Sequence, residues 1–359
     1  MTRDFSAFLP NAKTNTPPKR EATPLERLGW KPFFNQQIDP DEHADLLPVR
    51  VVEVHRSGLR VLGDGVDAVI PPGLSATVGD WVLYNPLQPP ISIVLERATV
   101  VERRAPGKEV KRQLIAANVD TIFIVSSCND EFNVARLERY VSLAFEADVI
   151  PVIVLTKPDL CEDVAPYVDA AVDISDRVTV ETLNALTDAA IDKLSPWCKP
   201  GQTVAFLGSS GVGKSTLVNA LFNETVAETG AIRSDDSKGR HTTSHRQLHF
   251  TPSGCAILDT PGMRELQLTD VEAGIADVFA DLTELATGCR FRNCGHDTEP
   301  GCAVQAAVAK GEIDATRLAR WAKLSAEEKF NTSSLSERKA GDKSLHKRIK
   351  AIQKKSRKS

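Results

Sequence analysis

The eight residues Gly208-Ser-Ser-Gly-Val-Gly213-Lys214-Ser215 constrain this chain more than any other stretch. They fit the pattern G-x-x-x-x-G-K-[ST]. They also stand in the context that the pattern requires, after the apolar run "TVAFL" and before the amphipathic run "STLVNAL". A strand, a glycine-rich loop and a helix in that order bring backbone N–H groups and a helix N-terminus to bear on phosphate. Gly208, Ser209, Ser210, Gly211, Val212, Gly213, Lys214, Ser215 and Thr216 are therefore the expected phosphate-holding residues. Lys214 is expected to reach the β- and γ-phosphates, and the Ser215 hydroxyl to ligate Mg²⁺.

Three further motifs sit around this loop. Asp259-Thr-Pro-Gly262 follows the apolar run "CAIL", 45 residues after Lys214. An Asp at a strand end is the expected second anchor for Mg²⁺. Gly262, lacking a Cβ, can bring its N–H close to a γ-phosphate. Between the two phosphate motifs lies the polar stretch "SKGRHTTSHRQL". It predicts a mobile switch loop in which Thr242 or Thr243 closes on Mg²⁺, and the sequence does not decide between the two. The third motif is Thr156-Lys157-Pro158-Asp159, after the buried run "VIPVIVL". Asp159 can accept hydrogen bonds from N1–H and N2–H₂ of guanine, and adenine offers no such donor pair. Lys157 can lie along the base and tie it to the phosphate loop. A third base-contacting loop is expected at Asn184-Ala-Leu, where Asn replaces the Ser usual in GTPases.

The order is unusual, because the base-reading loops precede the phosphate loop. Such an order predicts a circularly permuted domain, which a sheet tolerates when the old termini can be joined. Buried-strand runs alternating with helical stretches from about Gln113 predict a parallel α/β sheet covered on both faces. Before it, five short β-like runs between Leu47 and Arg104, broken by Gly and Pro turns, predict a small barrel of OB type. Such a barrel either binds oligonucleotides on a strand face or is purely structural. After Gly262 the chain turns helical. The expected organisation is multidomain. It comprises a flexible extension over 1–46, an OB-fold domain over 47–104 and a permuted GTPase domain over 105–272. A mainly helical zinc-binding domain over 273–330 and a basic tail over 331–359 complete it.

Charge enters at the tail. Residues 338–359 carry ten Lys and Arg against the single acid Asp342, a net of about +9 within a chain of formal charge −4. The tail is either a solvated disordered segment or a neutraliser of nucleic-acid phosphates. No apolar run approaches the ~18 residues that a membrane span needs. Seven cysteines are an odd number, and Cys289-x₄-Cys294-x-His296-x₅-Cys302 gathers three of them with a histidine. Three thiolates and one imidazole suit tetrahedral Zn²⁺ with no open position, hence a structural site in a reduced, cytoplasmic protein. Arg290, Phe291 and Arg292 between the ligands can contact RNA or face solvent.

Together "IAANVDTIFIV", "VLTKPDL", "GSSGVGKSTLVN", "GRHTTS", "LDTPG" and "CRFRNCGHDTEPGCAVQAAV" resemble the ribosome small subunit-dependent GTPase A family, also called RsgA, YjeQ or EngC. The resemblance covers about residues 47 to 330. It implies an OB domain, a permuted GTPase domain and a zinc domain. It also implies a role in late maturation of the small ribosomal subunit, with contacts to rRNA, GTP hydrolysis stimulated by the subunit, and a monomeric protein. Many GTPases place a Gln after D-x-x-G to orient the attacking water. Met263 stands there and cannot do so, so slow intrinsic hydrolysis is expected. The family's "HTT" match carries His241 over as the water-positioning catalytic residue beside Lys214. An rRNA-binding assembly factor that senses nucleotide with negligible turnover is the competing expectation.

Overall fold

The computed structural model describes residues 21–55, 57–104, 112–222, 246–259 and 271–332. The chain opens with two one-turn helices, α1 (Pro24–Arg27) and α2 (Pro32–Asn35). A β-rich unit follows: β1 (Leu47–His55), β2 (Gly58–Gly63), β3 (Val66–Ile70), β4 (Trp81–Tyr84) and β5 (Ile93–Val94). The hairpin β6 (Val100–Arg104) and β7 (Arg112–Ala117) leads into the α/β unit. There come β8 (Thr121–Ser127), α3 (Val134–Glu146), β9 (Ile150–Thr156), α4 (Ala165–Val172), β10 (Thr179–Leu183) and α5 (Ala189–Leu194). β11 (Thr203–Leu207), α6 (Lys214–Phe222), β12 (Arg246–Phe250) and β13 (Ala256–Asp259) complete it. The C-terminal helices are α7 (Glu272–Val278), α8 (Ala280–Thr287), α9 (Ala303–Ala309) and α10 (Ala315–Thr332).

In the β-rich unit β1 is central, paired antiparallel with both β2 and β4, and its inward Val49 and Val51 meet Leu59, Val61, Ile70 and Val82. The apolar stretch "ISIVLERATV", residues 91–100, is not one strand: Ile93–Val94 forms β5, and Val100 opens β6. The break falls where Arg97 turns inward to the fully buried Asp80, with charge-assisted hydrogen bonds of 2.7 and 2.9 Å.

The extension expected to be flexible as far as residue 46 is instead built into the fold from Thr23, which caps α1 in a capping box with Glu26. Phe34 is buried against Trp30 and Trp81, with ring centroids 5.3 and 5.8 Å away. Aromatic burial on that scale offsets the ordering entropy that a polar, Pro-rich composition suggested would prevail. Beneath this cluster Arg50 is 1% exposed. Its guanidinium donates to Leu28 O (2.5 Å), Thr203 Oγ1 (2.8 Å), Asn118 O (3.3 Å) and Gly79 O (3.4 Å). One side chain thus ties the N-terminal segment, the β-rich unit and β11 together. Burial pushes its pKa down to about 10, opposed by Asp120 and Asp80, so it stays charged at neutral pH. Arg50→Met would orphan these acceptors and is expected to cost about 3 kcal/mol, read as a lower denaturant midpoint. An unchanged midpoint would refute the bridging role.

The α/β sheet runs β10-β9-β8-β11-β13-β12, parallel except for β12. Side chains alternate between two buried faces. Ile122, Ile124, Ile153 and Leu155 meet α3, while Phe123, Val125, Val152 and Val154 meet α5 and α6. Two features tie this unit to its neighbours. The end of β1 pairs with β12, Glu53 opposite Gln247 and Val54 opposite Arg246, so the sheet continues into the β-rich unit. In addition, α7, α9 and α10 share the α3-side core through Ile275, Val304 and Leu324. Gly274 lets α7 lie directly on α3; an added Cβ would come within 2.0 Å of Ser142 O.

Candidate nucleotide and metal sites

The carboxyl ends of β8, β9, β10 and β11 share one edge of the sheet. Ser127 lies opposite Thr156, and Leu183 opposite Thr156 on the other side. Ligands of open α/β sheets bind at such an edge. The loop Gly208–Gly213 leaves β11 there and runs into α6 at Lys214. Gly208 (φ +145°), Gly211 (+78°) and Gly213 (+99°) all take left-handed conformations. At Gly208 a Cβ would fall 2.2 Å from Val125 O, so only glycine fits.

Four side chains fix the loop. Lys214 Nζ donates to Gly208 O (2.8 Å) and to Ser209 O. The Thr156 hydroxyl donates to Val212 O (2.6 Å). Lys157, itself left-handed at φ +58°, donates from Nζ to Gly211 O (2.8 Å). The fourth is Arg136, on the first turn of α3, whose Nη1 donates to Ser209 Oγ. Three of these four residues were singled out in the sequence. Arg136 was not, because "VARLERYVSL" reads only as an amphipathic helix and no pattern marks which Arg faces the loop.

Lys157 is followed by a 3-10 turn, Pro158–Leu160, that leaves Asp159 exposed at the same edge. Asn184 follows β10, the neighbour of β9. Its Oδ1 accepts from Leu186 N (2.9 Å) and its carbonyl from Thr187 N (3.2 Å), so it forms a turn before α5. Thr156 and Lys157 thus touch the glycine-rich loop at Val212 and Gly211, and Asp159 and Asn184 follow strands whose carboxyl ends share that edge. Asp259 ends β13, the other neighbour of β11, and only its backbone is described. His241, Thr242, Thr243, Gly262 and Met263 lie outside the described residues.

The Cys/His cluster lies between α8 and α9. The ligand atoms of Cys289, Cys294, His296 and Cys302 all fall within 4.8 Å of one another. Cys289 Sγ and Cys302 Sγ are each 3.5 Å from His296 Nδ1 and 3.9 Å from each other. Tetrahedral Zn²⁺ with its usual bond lengths would set S···S near about 3.8 Å and S···N near about 3.6 Å. The donor set therefore fits a tetrahedral metal. The knuckle is shaped by Glu299, whose carboxylate accepts from Gly295 N (2.9 Å), Asp297 N (3.0 Å) and Thr298 N (3.2 Å). The Gly295 N–H above all, then that of Asp297, hold its carboxyl down at about 2. Gln305 Nε2 donates to His296 O (2.6 Å), and the His296 ring lies 5.2 Å from that of Trp321 on α10. Neither Glu299 nor Gln305 nor Trp321 was marked by ligand spacing.

The family comparison agrees with this architecture. A profile of the RsgA GTPase family matches residues 94–269. A Vibrio parahaemolyticus protein named small ribosomal subunit biogenesis GTPase RsgA 2 is 49% identical over 325 residues, covering 89% of this chain and 90% of its own length. A Mesorhizobium japonicum protein named small ribosomal subunit biogenesis GTPase RsgA is 50% identical over 316 residues, covering 86% and 91%. Among solved structures, YjeQ from Thermotoga maritima is similar at TM-score 0.56 and 26% identity, over 78% of this chain and 97% of its own. YloQ, described as a circularly permuted GTPase, gives 0.57 and 25%, over 82% and 99%. No helix among the described residues is long and apolar enough to cross a membrane.

Proposed function

The chain belongs to the RsgA GTPase family, and from that premise we propose that it binds the small ribosomal subunit and acts in its late maturation, hydrolysing GTP to GDP and phosphate faster when bound. One observation carries the reading. The Thr156–Asp159 turn and the Gly208–Ser215 loop are joined by Lys157 to Gly211 O and Thr156 to Val212 O, although the first precedes the second in the chain. That junction is what a permuted guanine-nucleotide site needs.

In this reading the loop N–H groups and the α6 N-terminus hold the phosphates. Lys214 neutralises charge on the β- and γ-phosphates. Asp159 selects guanine, Lys157 flanks the base, and Asn184 supplies the neighbouring turn. Ser215, Thr243 and Asp259 would hold Mg²⁺, which supplies Lewis-acid stabilisation of phosphoryl oxygens. His241 positions the attacking water, and Gly262 faces the γ-phosphate. Cys289, Cys294, His296 and Cys302 would hold one structural Zn²⁺.

The units are read as an OB-type barrel over 47–104, a permuted GTPase domain over 105–272, a zinc domain over 273–330 and a basic tail over 331–359. The barrel, the zinc knuckle and the tail are the rRNA-facing parts of a cytoplasmic monomer. Met263 in place of the usual Gln favours a second reading, a nucleotide-sensing assembly factor with negligible turnover. Steady-state phosphate release with and without purified small subunits separates the two. Stimulation of at least about tenfold is expected, the transition-state gain of one well-placed charge-assisted contact. No stimulation would leave only the second reading.

A further inference from the structure

We propose that Arg136 is a positioning residue of the nucleotide site, holding Ser209 of the phosphate-binding loop from outside. The proposal rests on the reading that residues 208–216 hold the phosphates. Ser209 is gripped twice: Lys214 Nζ takes its carbonyl, and Arg136 Nη1 takes its side-chain hydroxyl. These grips are not equivalent. Lys214 has three donors and spends two of them on Gly208 O and Ser209 O, so gripping the β- and γ-phosphates together draws on the same ammonium. The Arg136 contact uses a different atom and does not compete with that task. Ser209 also follows Gly208, whose left-handed conformation gives the chain no stiffness of its own.

Arg136 is well placed for the work. It is the third residue of α3, its N–H is capped by Asn133 Oδ1 at 3.0 Å, and its side chain is half-buried. Two and three residues further on, α3 is clamped to α10. Arg320 Nε donates to both oxygens of the fully buried Glu138 at 2.9 Å, and Arg139 pairs with Glu327. The helix that carries Arg136 is therefore held in register with α10. Arg136 also lines a cavity of about 310 Å³ with Arg139, Arg320, Lys323 and Glu327, where Glu327 and Glu138 offset the charges of Arg139 and Arg320.

The test is a set of full-length variants scored for GTP turnover and for affinity for a fluorescent GDP analogue. Arg136→Ala is expected to raise KM for GTP and Kd for GDP about tenfold while kcat changes less than about threefold, because ground-state and transition-state binding are lost alike. Arg136→Lys, which keeps a donor and the charge, should stay within about threefold of the parent. Ser209→Ala should reproduce Arg136→Ala, and the double variant should be no worse than either single one. A purely structural Arg136 would lower the melting temperature with KM unchanged, and that result overturns the proposal. Independent, multiplying effects of Arg136→Ala and Ser209→Ala overturn it as well. Lys214→Ala run alongside separates the two levels. Lost binding there with a normal KM in Arg136→Ala refutes only the Arg136 role. Retained binding in Lys214→Ala refutes the phosphate-loop reading and the role with it.

Discussion

Replacing Lys214 with alanine is expected to weaken GTP binding by about a thousandfold, from the loss of two charge-assisted contacts worth roughly 2 kcal/mol each. The estimate follows from placement. Lys214 is the first residue of α6, half-buried, with Nζ turned back over the loop toward Gly208 O and Ser209 O. An ammonium held there lies where the phosphate oxygens must come. Nothing else described at the loop substitutes for it, since Lys157 is committed to Gly211 O and Arg136 to Ser209 Oγ on other sides. The fold should survive the change. The loop keeps its glycine conformations, and Val212 keeps Thr156, so circular dichroism should match the parent. Titration with a fluorescent guanine nucleotide gives the answer, and phosphate release gives the corresponding loss in kcat/KM. A drop smaller than about tenfold would mean that the phosphates sit elsewhere.

Much of this site was legible in the sequence because its chemistry is local. A phosphate loop is eight contiguous residues whose glycines have no alternative, as the clash of a Cβ at Gly208 with Val125 O makes plain. The early Thr156–Asp159 turn was legible for the same reason, and its order relative to the loop disclosed the permutation. The Cys/His cluster was equally compact. What escaped depends on contacts across long separations. Arg136 reaches a residue 73 positions away, and Arg50 one 153 away, and neither carries a local signature. The N-terminal segment escaped because its composition is that of a linker, whereas Phe34 and Trp30 find a partner in Trp81 that no window around them contains. Contacts between the units carry no local signature either. β1 joins β12 by a pairing that links residues 53–54 to 246–247, and the helices after residue 271 share a core with α3.

Stripping the zinc proposed for the Cys/His cluster is expected to have the other large effect, unfolding the segment 289–302 and loosening α9 and α10. Metal held by three thiolates and an imidazole contributes apparent binding free energy of about 10 kcal/mol near neutral pH, more than the whole stability of many small domains. The knuckle has little else to hold it. Arg290, Phe291 and Arg292 are exposed, and its remaining order comes from the Glu299 carboxylate and a few turn hydrogen bonds. Cys302 is also the N-cap of α9, its sulfur accepting from Gln305 N at 3.4 Å, so a displaced Cys302 uncaps that helix. His296 faces Trp321, which makes indole fluorescence a reporter on α10. The expected stoichiometry is one zinc per chain, and Co²⁺ exchanged into the site should show the visible absorption of a tetrahedral thiolate complex. Chelation, or Cys289→Ser, should then lower helical ellipticity and shift the Trp321 emission. Cys161→Ser, at a thiol outside the cluster, should do neither. Because α10 is clamped to α3 at Glu138 and Arg139, the metal-free protein should also bind GTP more weakly. A chelated protein that kept its ellipticity, its emission and its nucleotide affinity would show that the four residues are not a structural metal centre.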